Sequence, residues 1–140
     1  MNVAVIYWSG TGNTEAMAQA VAEGVTMAGG RAEVLPCAAA DVSLTESFDA
    51  IAFGCPAMGV EVLEETEFEP LFSGCLPHLA GKSVGLFGSY GWGDGEWMRQ
   101  WEQTCADAGV KLAAEGVVCC GYPDDAALEQ CRALGQALAN

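Results

Sequence analysis

Short apolar runs and stretches of helical periodicity alternate along this chain, and that alternation limits its fold more than any other feature. Residues 3–7 are an apolar run, and residues 15–27 follow with apolar positions at 17, 18, 21, 22 and 25, closed by Gly29 and Gly30. That spacing is helical, and paired glycines end helices. Residues 32–35, stopped by Pro36, then 49–54, 83–88 and 113–119 read as four further strands. Helices are expected over residues 66–76, 96–108 and 124–139, the last with an acidic start that suits its dipole. Five short strands separated by helices build βαβ units, which means a parallel α/β sheet covered on both faces with right-handed crossovers. With 140 residues and no repeat or linker, residues 1–140 form one domain.

Ligands of such a sheet bind outside the carboxyl ends of its strands, so the loops at residues 8–14, 55–67 and 89–96 carry the functional signal. The first, Ser9-Gly10-Thr11-Gly12-Asn13-Thr14, is a strand-to-helix turn. It gathers three hydroxyls and several backbone N–H groups at the positive end of a helix, an arrangement suited to a phosphate. The absence of lysine separates it from a GxxxxGK[ST] nucleotide loop. The second loop and the helix start beyond it present Met58 and five glutamates, at 61, 64, 65, 67 and 69. The third sets Trp92 between Gly91 and Gly93. Glycines there allow close backbone approach, and an aromatic slab beside free N–H groups suits a flat heteroaromatic ring. Met58, facing it from the neighbouring loop, is a candidate for the ring's other side. Trp97 and Trp101 are instead expected to anchor a helix on the sheet, and His78 to lie at the surface.

Nineteen acidic against five basic residues give a formal charge of −14, which disfavours nucleic acid and anionic membranes and favours basic partners. No apolar run reaches the roughly 18 residues of a membrane span, and the N-terminus lacks a signal-peptide pattern, so a cytoplasmic protein is expected. Seven cysteines without CxxC spacing read as small core residues, with no metal site.

Taken together, the three loops resemble those of the short-chain (clostridial-type) flavodoxins along essentially the whole chain. The resemblance rests on Ser9–Thr14 as quoted, on Ala57-Met58-Gly59 with Glu61-Val62-Leu63-Glu64-Glu65, and on Gly88-Ser89-Tyr90-Gly91-Trp92-Gly93-Asp94-Gly95. It implies an open three-layer sandwich with a five-stranded parallel sheet in the order 2-1-3-4-5, and FMN as cofactor. Ser9, Gly10, Thr11, Gly12, Asn13 and Thr14 would hold the phosphate. Ala57, Met58, Gly59, Val60 and Glu61 would meet the ring from one side, Met58 stacking and Glu61 accepting from N3–H. Trp92 would stack on the other side, the backbone of Gly91, Trp92 and Gly93 would meet the pyrimidine-side atoms, and Ser89 and Tyr90 would lie at the cofactor's edge. Two residues depart from the family pattern. Val60 stands where Asp is common and suits a positive φ poorly, which implies a less favoured neutral semiquinone. Pro56 stands where relatives can place Ser.

The function implied is a low-potential one-electron carrier, not an enzyme, cycling between semiquinone and hydroquinone and docking basic redox partners at an acidic flavin edge as a monomer. Glu61, Glu64, Glu65, Glu67 and Asp94, with a phosphate lacking a lysine, would all raise the energy of reduced flavin. The alternative is an FMN-dependent NAD(P)H or quinone reductase, for whose substrate cavity the chain has little spare length. A receiver domain would need paired aspartates after the first strand, and a low-molecular-weight phosphatase an arginine where Glu61 stands.

Overall fold

The computed structural model describes residues 1–58, 63–91 and 93–140. Its elements run β1 (Asn2–Tyr7), α1 (Asn13–Met27), β2 (Arg31–Pro36), β3 (Ala50–Gly54), α2 (Phe68–Cys75), β4 (Ser83–Tyr90), α3 (Glu96–Asp107), β5 (Lys111–Leu112), β6 (Val117–Cys120) and α4 (Asp125–Ala139). The strands are parallel and ordered β2-β1-β3-β4-β5, with β6 also paired to β4. Val5 lies opposite Val34 on one side and Ala52 on the other.

Successive residues of a strand face opposite sides of the sheet, and both sides are covered here. Ala4, Ile6, Ile51, Phe53, Val84 and Leu86 pack with Phe68 and Phe72 of α2 and Trp97 and Trp101 of α3. Val3, Val5, Ala50 and Ala52 pack with Met17 and Val21 of α1 and Leu134 and Leu138 of α4. This explains why the central strands read as continuous apolar runs rather than as alternating ones. Trp101 meets Phe68 and Phe72 edge-on, with ring centroids 5.6 and 5.5 Å away.

Two expectations need correction. The expected fifth strand is two short segments, because three steps along β4, from Val84 to Phe87, face five along the edge, from Leu112 to Val117. The extra residues leave the ladder as a bulge does, and Gly116 donates its N–H to the Glu102 carboxylate on α3 at 2.8 Å instead. The β2–β3 connection is not an α-helix but two 3-10 turns, Cys37–Ala39 and Val42–Glu46, the second capped by Asp41 through the Ser43 N–H at 2.9 Å. Asp41, Asp49 and Pro36 break helical periodicity there, so only isolated turns form.

Among the described residues no helix is long and apolar enough to cross a membrane, and no cluster of His, Cys, Asp or Glu could hold a metal. All seven cysteines are free thiols. Burial pushes Cys55 and Cys131 up to about 12 and Cys37, Cys75, Cys105 and Cys119 up to about 11.

Candidate functional site

The loops after β1, β3 and β4 meet in a cleft of about 270 Å³ at the carboxyl end of the sheet. From the first loop Gly10, Thr11 and Asn13 line it; from the second, Ala57 and Met58; from the third, Ser89, Tyr90 and Gly91. Eight of the sequence-derived site residues therefore share one cavity. Gly93 is exposed and off its wall. Gly59, Val60, Glu61 and Trp92 lie outside the described residues.

The turn before α1 is built to leave donors unused. Gly12 takes φ +95° at the N-cap, a left-handed conformation that glycine adopts without strain. Its N–H donates to Ser9 Oγ at 3.0 Å, which folds the loop back on itself. With glycine at the cap, no side chain caps α1, so the first-turn N–H groups keep no intrahelical acceptor. Behind them, Thr14 is 1% exposed and its hydroxyl has no hydrogen-bond partner among the described residues. A buried hydroxyl without a partner costs about 1–3 kcal/mol. A helix dipole, open N–H groups and an orphaned hydroxyl thus share the first turn of α1, and the start of a helix is where an anion binds.

The other walls are held by the ends of the sheet. Ala57 donates to the Ser89 carbonyl at 3.0 Å and Cys55 to the Phe87 carbonyl at 3.1 Å, continuing the β3–β4 ladder into the loops. Tyr90 leans on Trp97, centroids 5.6 Å apart. Trp97 is 2% exposed, as an anchor should be, and its indole donates to the Cys55 carbonyl at 3.2 Å.

The structure revises two members of the acidic set. Glu64 is 6% exposed rather than facing solvent. Burial pushes its carboxyl up, but the Thr66 hydroxyl and the N–H groups of Phe68, Glu67 and Thr66 outweigh that and bring it down to about 2. Asp94 is paired with Arg99 at 3.1 Å, and Arg99 also meets Glu96 at 2.5 Å. Glu65, Glu67 and Glu69 remain exposed.

Three lining residues were not among the expected ligands. Trp8 and Pro56 belong to loops already singled out, while Gly121 comes from the end of β6, where its N–H bonds the Tyr90 carbonyl at 2.8 Å. The signal for Gly121 was the glycine closing the last strand; ending that strand at residue 119 hid it.

The flavodoxin family's sequence model matches residues 5–135. The chain is 47% identical to the flavodoxin of Megasphaera elsdenii over 137 residues, 98% of each chain. It is 42% identical to that of Clostridium beijerinckii over 138 residues, 97% of this chain and 98% of the other. A solution structure of two-electron reduced Megasphaera elsdenii flavodoxin superposes with a TM-score of 0.90 over 98% of both chains, at 46% identity. The chain belongs to the flavodoxin family. Flavodoxins are FMN-binding electron carriers rather than enzymes, and the reductase alternative gains nothing from a likeness that is this close and full-length. The residues present fit FMN: the uncapped start of α1 and the orphaned Thr14 hydroxyl match a phosphate ester, and the cleft beside them is walled by Met58, Tyr90 and glycine.

Proposed function

We propose that this flavodoxin is a low-potential one-electron donor to basic protein partners. The observation that carries the reading is the uncapped start of α1, with the Thr14 hydroxyl buried and unpartnered among the described residues in its first turn, next to Asn13, which lines the cleft with Met58 and Tyr90. Bound FMN supplies the one-electron chemistry. Thr14 Oγ1 and the first N–H groups of α1 bind the phosphate; Ser9, Thr11 and Asn13 enclose it. Met58, on the cleft wall, would cover one face of the ring. By family resemblance Trp92 covers the other, and Glu61 accepts from the ring N3–H. These side chains exclude water from the ring, and a poorly solvated site penalises added negative charge. Exposed Glu65, Glu67 and Glu69, and a phosphate without a lysine, add to that penalty. Each 1.4 kcal/mol lowers a one-electron potential by about 60 mV.

The same exposed carboxylates, on a chain of charge −14, form the docking edge for cationic partners, whose encounters are brief and steered by charge. The working state is a monomer, and neither nucleic acid nor membrane is a partner. Seven free thiols, five of them buried, suit the reducing cytoplasm.

The test is the visible spectrum of the purified protein incubated with FMN, followed by dithionite titration under argon. A stoichiometric yellow complex reduced in separate one-electron steps, and only sluggishly by NADH or NADPH, is expected. Failure to bind FMN removes the reading; rapid reduction by a nicotinamide nucleotide moves it to a reductase.

A further inference from the structure

Glu64 ends the loop that begins at Cys55, and the structure ties those two ends together. The Glu64 N–H donates to the Cys55 thiol sulfur at 3.3 Å. Cys55 is fully buried at the end of β3, and its thiol in turn donates to the Pro56 carbonyl at 3.5 Å. The buried Glu64 carboxylate then reaches forward along the chain. One oxygen accepts from Glu67 N–H at 2.8 Å and Phe68 N–H at 2.9 Å; the other accepts from Thr66 N–H at 2.9 Å and from the Thr66 hydroxyl. Glu67, the N-cap of α2, makes no side-chain cap of its own, so Glu64 closes that helix from three residues upstream. The Cys55 carbonyl also accepts from the indole of Trp97, at the start of α3 just past the third loop. One residue at the end of β3 is therefore bonded both to the far end of the second loop and to the start of α3.

We propose that Glu64 and Cys55 are positioning residues for the flavin ring, a staple that closes the 56–63 loop at its base and sets where Met58 stands. The proposal rests on the FMN reading of the cleft. Neither residue lines that cleft, so each acts through the loop it holds. Glutamine at position 64 keeps the size but puts an NH2 group against donors, so one pair of bonds is lost while the other survives. A carboxylate accepting four donors has no neutral isostere.

The test compares FMN and riboflavin binding to Glu64→Gln and Cys55→Ala, with the potential and visible circular dichroism of the bound flavin. Because the staple serves the ring end, affinity for FMN and for riboflavin should fall by the same factor, about tenfold for Glu64→Gln, as for loss of a strong cap. The potential and dichroism should shift as well, with Glu64→Asp recovering part of each. A variant that loses thermal stability yet keeps the wild-type potential, dichroism and flavin affinities overturns the proposal, as does a loss confined to FMN. If Glu64→Gln does not fold, Cys55→Ala, which removes only the sulfur, decides by the same readouts. Should the wild-type protein bind no flavin, the FMN reading fails by itself. Amide hydrogen exchange on the flavin-free protein then judges the staple: faster exchange across residues 56–63 in the variants upholds it as a loop clasp, and unchanged exchange ends it.

Discussion

Helices α1 and α2 both start at the carboxyl end of the sheet, yet they are closed in opposite ways. At α2 a buried glutamate satisfies the first N–H groups from within the chain. At α1 the cap is a left-handed glycine, no side chain accepts, and a buried threonine hydroxyl is left over. A helix start is an anion site by default; what differs is whether the chain provides the anion. Here α2 is shut and α1 is kept for a visitor.

The sharpest way to break the comparison is to give α1 what α2 has. Gly12→Asp places a carboxylate at the cap, where an added Cβ meets nothing within 4 Å and the left-handed φ is one that Asp tolerates better than most residues. Like charges forced together cost several kcal/mol, so FMN affinity should drop on the order of a thousandfold. Riboflavin, which lacks the phosphate, should bind nearly as before; fluorescence titration of both flavins is the check. Thr14→Val is milder, removing only the orphaned hydroxyl. A hydrogen bond to a charged group is worth about 1.5–3 kcal/mol, so FMN affinity should fall roughly ten- to hundredfold. The flavin-free protein should be as stable as wild type or slightly more so.

The α2 side predicts a dependence on pH. Glu64 titrates near 2 when folded against an ordinary value of 4.5. A depressed folded value means its contribution is fully present above about pH 5 and is lost as pH falls toward 2. Glu64→Gln should lower thermal stability at pH 7 by roughly 1–2 kcal/mol and flatten the decline below pH 5, measured as melting temperature against pH. The smallest expected effect belongs to the exposed glutamates at and before the start of α2. Electron transfer to a basic c-type cytochrome should slow roughly tenfold between low salt and half-molar salt as the exposed glutamates are screened. A rate indifferent to salt would remove the docking edge.

Much of this was legible in the sequence because period and turn chemistry are local properties. The parallel sheet followed from apolar runs separated by helical spacing, and the phosphate turn from hydroxyls and glycines packed between Tyr7 and Glu15. The burial of Glu64 was not legible. In the run Glu64-Glu65-Thr66-Glu67 three glutamates stand close together, and which of them caps the helix follows from where α2 starts, at Phe68, which the expected start at residue 66 misplaced. Gly121 escaped for a similar reason: it reaches the cleft only because β6 is set back along β4 by the residues that leave the ladder.

That interruption has a consequence for how the molecule leaves its partners. A sheet edge with an unbroken row of N–H and C=O groups is a template on which another chain can add a strand. Here one edge is cut between Leu112 and Val117, and the opposite edge strand ends on Pro36, which has no N–H to give. The first edge is thus broken into segments of two and four residues, and the second loses a donor only at its last residue. Strand addition is therefore blunted most on the β5–β6 side, where the row of backbone donors and acceptors is cut in two.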